Sequence, residues 1–458
     1  MCDNGVDYNK CILGGDNVVQ IRNNKIRWAI SALLALLILF GTFNSVFSIA
    51  AFLICGLMVV FVNKEATLYQ MFFILPMANI FKMSPGSQSF FTILLLAYVV
   101  LHMVLPRKAT LLVVLFALYV VIGELWADSF NLFRTIKLIC NLLFLSSILN
   151  SEVKLKNKEI FFSYISGNIV ASTISIMDSS FFNVESYIGR KEIAGNIAQD
   201  VERFAGLYED PNYYSIGLII SLCLVVILFY RREIKPIFGF LLSIVMVYFL
   251  LQTYSKSALI MMVLPVILLL YVLIKDKKYV LSIFIVFSAL LTIFLAFSGK
   301  IPALELVIER IRESETAVGG TDINALTTGR LDIWIMYIEY FINHIRSAIF
   351  GVSISADLVE GSAAHNTYID VFYHLGVLGG TLLVSILAVI SRQSRHIHLR
   401  RNFLNYSIMI CIGIMYFFLS ELFYFDTPFQ IFIAFSVLNL PLIDEERIKI
   451  ANEGVKNA

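Results

Sequence analysis

From one end to the other, the chain alternates long apolar blocks with short polar breaks. A membrane-spanning helix needs roughly 17–25 mostly apolar residues, set by a hydrocarbon core ~30 Å thick and a helical rise of ~1.5 Å per residue. Fourteen blocks approach that length: 28–43, 45–62, 66–81, 88–105, 109–125, 130–149, 159–181, 211–230, 236–253, 257–274, 278–298, 366–391, 403–420 and 426–442. The pattern predicts an all-α fold, a polytopic integral membrane bundle of about fourteen helices.

Two breaks are long, 182–210 and 299–365. Within the second, Leu304, Val307, Ile308 and Ile311 recur at i, i+3, i+4 and i+7. Leu331, Trp334, Ile335, Ile338, Ile342 and Ile345 keep the same helical spacing. Both stretches read as amphipathic helices that lie on the membrane face or roof a cavity. Gly319–Gly320 and Thr327–Thr328–Gly329 read as turns between them.

Charge orients the bundle. Cytoplasmic loops are enriched in Lys and Arg. With the N-terminus inside, the six inner loops carry sixteen such residues, while the five short outer loops carry only Lys82 and Lys256. Both termini are therefore expected in the cytoplasm and both long loops outside. The chain divides into a tail at 1–27, spans one to eleven at 28–298, an outer loop at 299–365, spans twelve to fourteen at 366–442, and a tail at 443–458.

Composition agrees. Of 458 residues 59% are apolar and 15% charged, far from the ~45–50% and ~25% of soluble domains. That excludes a soluble globular domain and a disordered chain. A net charge of +2 argues against a nucleic-acid partner. The six cysteines form no CxxC or Cys/His cluster, so neither a disulfide framework nor a zinc site is expected. The first 25 residues hold Asp3, Asp7 and Asp16 and no apolar core, unlike a cleavable signal peptide.

Candidate chemistry gathers in the outer loops. Arg203 precedes span eight in the run Arg203-Phe-Ala-Gly206-Leu-Tyr-Glu-Asp210-Pro211-Asn212; Arg330 opens the second amphipathic segment; His365-Asn366 opens span twelve. Guanidinium forks bind phosphate oxygens bidentately, and two of them suit a diphosphate. Histidine is the usual base near neutral pH, and helix starts favour anions. Two blander readings stand beside this one. An outer-loop Arg commonly touches lipid headgroups, and His-Asn at a helix start is a common capping arrangement.

His365-Asn366, nine residues, then Gly376-Val-Leu-Gly379 resembles the signature of the O-antigen ligase/polymerase superfamily of bacterial membrane glycosyltransferases. Gly329-Arg330-Leu-Asp-Ile-Trp334, Ile349-Phe-Gly351 and the Arg203 to Asn212 segment are similar to its pattern. Where that family has Thr-x-Ser-Arg, this chain has Thr253-Tyr-Ser255-Lys256, which keeps the charge but not the fork. The resemblance covers about residues 200–380. It implies a bacterial inner-membrane enzyme, a Wzy-type polymerase of O-antigen or capsular polysaccharide, with its site facing the periplasm. The donor and acceptor would be oligosaccharides on undecaprenyl diphosphate. A chain-length regulator and a flippase of the same pathway are the implied partners, with the lipid bilayer. His365 would be the base, Arg203 and Arg330 the diphosphate clamps, and Lys256, Asn366, Asp210 and Asn212 substrate-binding. No cofactor and no metal is implied; Glu209-Asp210 is only a weak metal candidate.

Arg134 and Lys137 lie three residues apart on one face of span six, where charge is costly. They read either as further diphosphate contacts or as side chains snorkelling to headgroups. Glu124 and Asp178 are possible ion-pair partners for them. His374 sits nine residues past His365, half a turn round a helix, and is expected to face elsewhere. An O-antigen ligase that passes the glycan to lipid A-core shares the same catalytic logic. A transporter or flippase is the alternative from another class, although paired halves with midplane polar sites are not visible.

Overall fold

The computed structural model describes residue 19 and residues 23–81, 89–102, 107–126, 132–150, 157–177, 204–208, 210–253, 255–279, 283, 330–356, 359–362, 364–393, 403–418 and 427–438. Among them the regular structure is helical, with one isolated bridge between Val19 and Val62 and no strand. The α-helices are α1 Asn24–Gly41, α2 Ser45–Phe61, α3 Lys64–Ile74, α4 Phe91–His102, α5 Arg107–Leu125, α6 Leu132–Asn150, α7 Asn157–Ile176, α8 Pro211–Tyr230, α9 Pro236–Gln252, α10 Lys256–Lys275, α11 Arg330–Asn343, α12 Ile345–Phe350, α13 Thr367–Gln393, α14 Phe403–Phe418 and α15 Thr427–Leu438.

Thirteen of the fourteen apolar blocks fall on these helices; of the block at 278–298 only Lys278, Tyr279 and Ile283 are described, and the amphipathic segment around Leu304 lies outside the described residues. The block at 66–81 is not one regular helix. It stops as an α-helix at Ile74 and continues as a 3-10 segment, Leu75–Ile80, where Pro76 removes a backbone donor.

Local chemistry explains the starts. Asn23, Asn44, Asp210 and Ser255 each accept a backbone N–H of the helix that follows, and Pro211 and Pro236 occupy first-turn positions that need no donor. The helix α8 is the axis of the bundle. It is buried from Tyr214 to Leu228 and packs against α7, α9, α10 and α14. Its polar contact with α7 is a hydrogen bond between the hydroxyls of Tyr214 and Ser172.

Peripheral helices do the opposite and expose apolar rows, such as Leu111, Leu115, Leu118 and Ile122 on α5. Such rows are stable only when the surrounding solvent is itself apolar. Asn24–Gly41, Pro211–Tyr230, Ser257–Lys275 and Thr367–Ile390 are long and apolar enough to cross a bilayer. The chain is a membrane protein.

Candidate functional site

The segment after Arg203 is locked onto the ends of α8 and α9. Phe204 N–H donates to the Gln252 carbonyl at 3.0 Å, and its ring stacks on Phe249 and meets Tyr214 edge-on. Arg203 itself lies outside the described residues, as do Glu209 and Asp178. Asp210 then caps α8 through the Asn212 N–H at 2.6 Å. Asn212 Oδ1 in turn accepts the Ser255 hydroxyl at 2.6 Å, and that hydroxyl oxygen accepts the Ala258 N–H as the cap of α10. Two helix starts are thus tied by one serine. Lys256 is the first residue of α10, beside that tie.

The arm that carries Arg330 is α11, and it is pinned to the segment leading into His365. Trp334 Nε1–H donates to the Ala364 carbonyl at 2.8 Å and the Tyr337 hydroxyl to the Ser362 carbonyl at 2.9 Å. Tyr337 also meets Tyr373 of α13 edge-on at 5.1 Å between ring centres. His365 itself adopts φ +49, a region that a side chain with a Cβ rarely occupies. Strain of this kind persists only where the surroundings impose it and is concentrated at functional sites.

Electrostatics joins the pieces. His365 opens onto solvent, yet the protein around it withholds enough water to lower its pKa below the ordinary 6.5; Arg330 pushes the same way and Asp210 opposes. Partial desolvation also lowers the pKa of Arg330, against Asp210 and Tyr213, which raise it. A guanidinium remains charged under such a shift. The structure therefore gathers His365, Arg330, Asp210 and Tyr213 from three separate stretches of chain, the last a residue with no sequence signal of its own.

Asn366 is only 2% exposed, and its side-chain oxygen accepts the N–H groups of Tyr368 and Ile369 at 3.0 and 3.2 Å. It caps α13. Arg134 lies within electrostatic reach of His374 together with Glu124, in a second centre apart from His365. Lys137 is half-buried one turn further along α6. The buried His374 has its Nδ1 2.7 Å from the Ser353 carbonyl. Glu124, 1% exposed, accepts the Ser353 hydroxyl at 2.6 Å, the Ser355 N–H at 3.0 Å and the Ser355 hydroxyl. This clasp ties α5 to the strap that runs from α12 to His365. Nothing in the sequence pairs Glu124 with serines 229 and 231 residues away.

Among the described residues no group of three or more His, Cys, Asp or Glu side chains is placed to hold a metal ion. The site offers one base, one fixed cation and an acid that balances the cation, all at or just before the N-terminal ends of helices. No family model and no curated protein matches the chain.

Proposed function

We propose that the protein is a membrane glycosyltransferase that joins undecaprenyl-diphosphate-linked oligosaccharide units into O-antigen or capsular polysaccharide at the periplasmic face of a bacterial inner membrane. In this reading the bundle has fourteen spans and both termini are cytoplasmic. What supports it is that His365 lies within electrostatic reach of Arg330, which suits general-base catalysis beside a leaving diphosphate.

The step balances with this chain's own groups. Neutral His365 takes the proton from an acceptor hydroxyl as that oxygen bonds to the anomeric carbon of the donor. The bond from that carbon to the diphosphate oxygen breaks, and its electron pair leaves with undecaprenyl diphosphate. Arg330, with Arg203, neutralises the developing charge. Attack from the face opposite the leaving group inverts the anomeric centre.

The test is His365→Ala at confirmed membrane levels, read from the surface polysaccharide on a gel ladder. Loss of the ladder to a single repeat unit is expected. Unchanged chain length and surface attachment would sink the proposal, and a core with no repeat unit would assign the chain to ligation instead.

A further inference from the structure

Among the described residues Ile335, Ile338 and Ile342 of α11 stand exposed, and we propose that this face beds into the outer leaflet of a phospholipid bilayer, so that the helix bearing Arg330 lies half-sunk at the membrane surface. The proposal rests on the chain being a membrane protein and is independent of the transfer reaction.

Two faces of α11 are chemically distinct. Trp334, Tyr337 and Phe341 turn inward, against the Ala364 carbonyl, Tyr373 and Phe372. Ile335, Ile338 and Ile342 turn outward and are 45%, 51% and 70% exposed. At about 100° per residue, these three isoleucines share an arc of about 60°. Asp332 and Glu339, also exposed, lie about 40–60° round from Ile335, on the side away from Ile338. The exposed surface is thus split lengthwise into an apolar strip and an acidic strip. A helix in bulk water has no reason to keep the first, and a helix sunk in acyl chains has none to keep the second. One lying in the interface requires both.

The helix is also continuous with exposed apolar surface on its neighbours. Phe341 touches Phe372, which is exposed on the candidate span Thr367–Ile390. At the far end the Arg346 guanidinium stands 5.2 Å from the ring of Trp126, which ends the apolar row of α5. Trp beside Arg is the pairing expected at headgroup depth, where the ring meets acyl chains and the cation meets phosphate. The occupant that fits is a phospholipid leaflet, its chains against the isoleucines and its headgroup phosphates beside Arg346.

Depth measurement tests this directly. Spin labels are placed at Ile338→Cys and, separately, at Glu339→Cys, in protein reconstituted into phosphatidylcholine–phosphatidylglycerol nanodiscs. Cys2→Ser and Cys11→Ser remove the tail cysteines; Cys55, Cys140, Cys223 and Cys411 are buried. Relaxation by oxygen, which concentrates in acyl chains, is compared with relaxation by a water-soluble nickel chelate. The label at 338 is expected to be several-fold more accessible to oxygen than to nickel, and the label at 339 the reverse. Equal nickel access at both positions overturns the proposal by leaving the strip in water. Protection of position 338 from both reagents also overturns it, in favour of a protein partner or a second copy. Ile342→Cys repeats the measurement one turn on, so poor insertion of one variant does not remove the test.

Discussion

A Cβ placed on Gly376 would stand 2.4 Å from the backbone nitrogen of Gly351, and one placed on Gly351 would stand 2.3 Å from the carbonyl oxygen of His374. The two chains interlock backbone to backbone. Gly376 breaks α13 with φ 63 and ψ −176, and the carbonyls just before the break take partners from outside the helix. Val352 N–H donates to Tyr373 at 3.0 Å and Ser353 N–H to His374 at 3.1 Å. The Tyr119 hydroxyl lies 2.6 Å from both the Leu375 and Phe350 carbonyls and shares its proton between them. The break thus stores the acceptors that hold the strap between Arg330 and His365 in place.

Gly376→Ala forces a side chain into this interlock and into left-handed φ, where strain alone costs about 1–3 kcal/mol. A lowered melting temperature in detergent is expected. Gly361→Ala is the control: its φ is +73, but nothing lies within 4 Å of an added Cβ. It should lose less. Equal losses for the two would show that the interlock itself contributes nothing.

Glu124→Ala should be among the most damaging single changes. It leaves the Ser353 and Ser355 hydroxyls without their acceptor in a site closed to water, at about 1–3 kcal/mol for each group left unmade, while the Ser355 N–H keeps the Ser353 hydroxyl oxygen at 3.1 Å. Ser353→Ala removes one donor and should cost a fraction of that. Melting temperature ranks the two, and limited proteolysis between residues 353 and 366 should accelerate in Glu124→Ala. A melting temperature unchanged by Glu124→Ala would mean that the clasp adds nothing to the other contacts that hold the strap.

What the sequence disclosed follows from physics. Helices in hydrocarbon satisfy their backbone internally, so their apolar blocks are readable one at a time, as at 211–230, which coincides with α8. The block at 66–81 did not disclose its break, since an apolar run does not show that Pro76 ends the regular helix, and α3 is buried from Ala66 to Ile74. Period revealed the stripe of Ile335, Ile338 and Ile342 but not its direction, since the aromatic face of α11 is the one that packs inward. His365 and Arg330 were legible as residue types in a long break between apolar blocks. Glu124 was not, because a buried clasp to Ser353 and Ser355 depends on long-range geometry that no local window contains.

The pH response of His365 has a definite sign. With its pKa below 6.5, the ring is neutral and able to accept a proton at neutral pH, and transfer should fall only on the acid side of that lowered value. Asp210 opposes the shift, so Asp210→Asn should move the acid limb to still lower pH, while an asparagine can still cap α8. Arg330→Gln should move the ring's titration upward. Between the lowered value and 6.5 the unfolded chain holds a proton that the folded chain does not, so the histidine's contribution to stability declines as pH drops through that window. Nuclear magnetic resonance titration of the labelled His365 ring separates these cases; a shift in the same direction for both variants would refute the assignment of opposing neighbours.

Trp334→Phe isolates the hold that α11 has on His365. The substitution keeps an aromatic ring against Phe417, whose centre lies 4.9 Å away, but deletes the donor to the Ala364 carbonyl. One hydrogen bond of this kind is worth about 0.5–1.5 kcal/mol net, too little to unfold the bundle. It is enough to loosen a residue held at φ +49, one position beyond that carbonyl. Arg330 keeps its place at the start of the helix, so the grip on a diphosphate should persist while the base is misplaced. The expected result is a several-fold fall in kcat with little change in KM for the lipid-linked donor, and Tyr337→Phe should act in the same direction through Ser362. A raised KM with unchanged kcat would show that the tryptophan supports binding instead of the base.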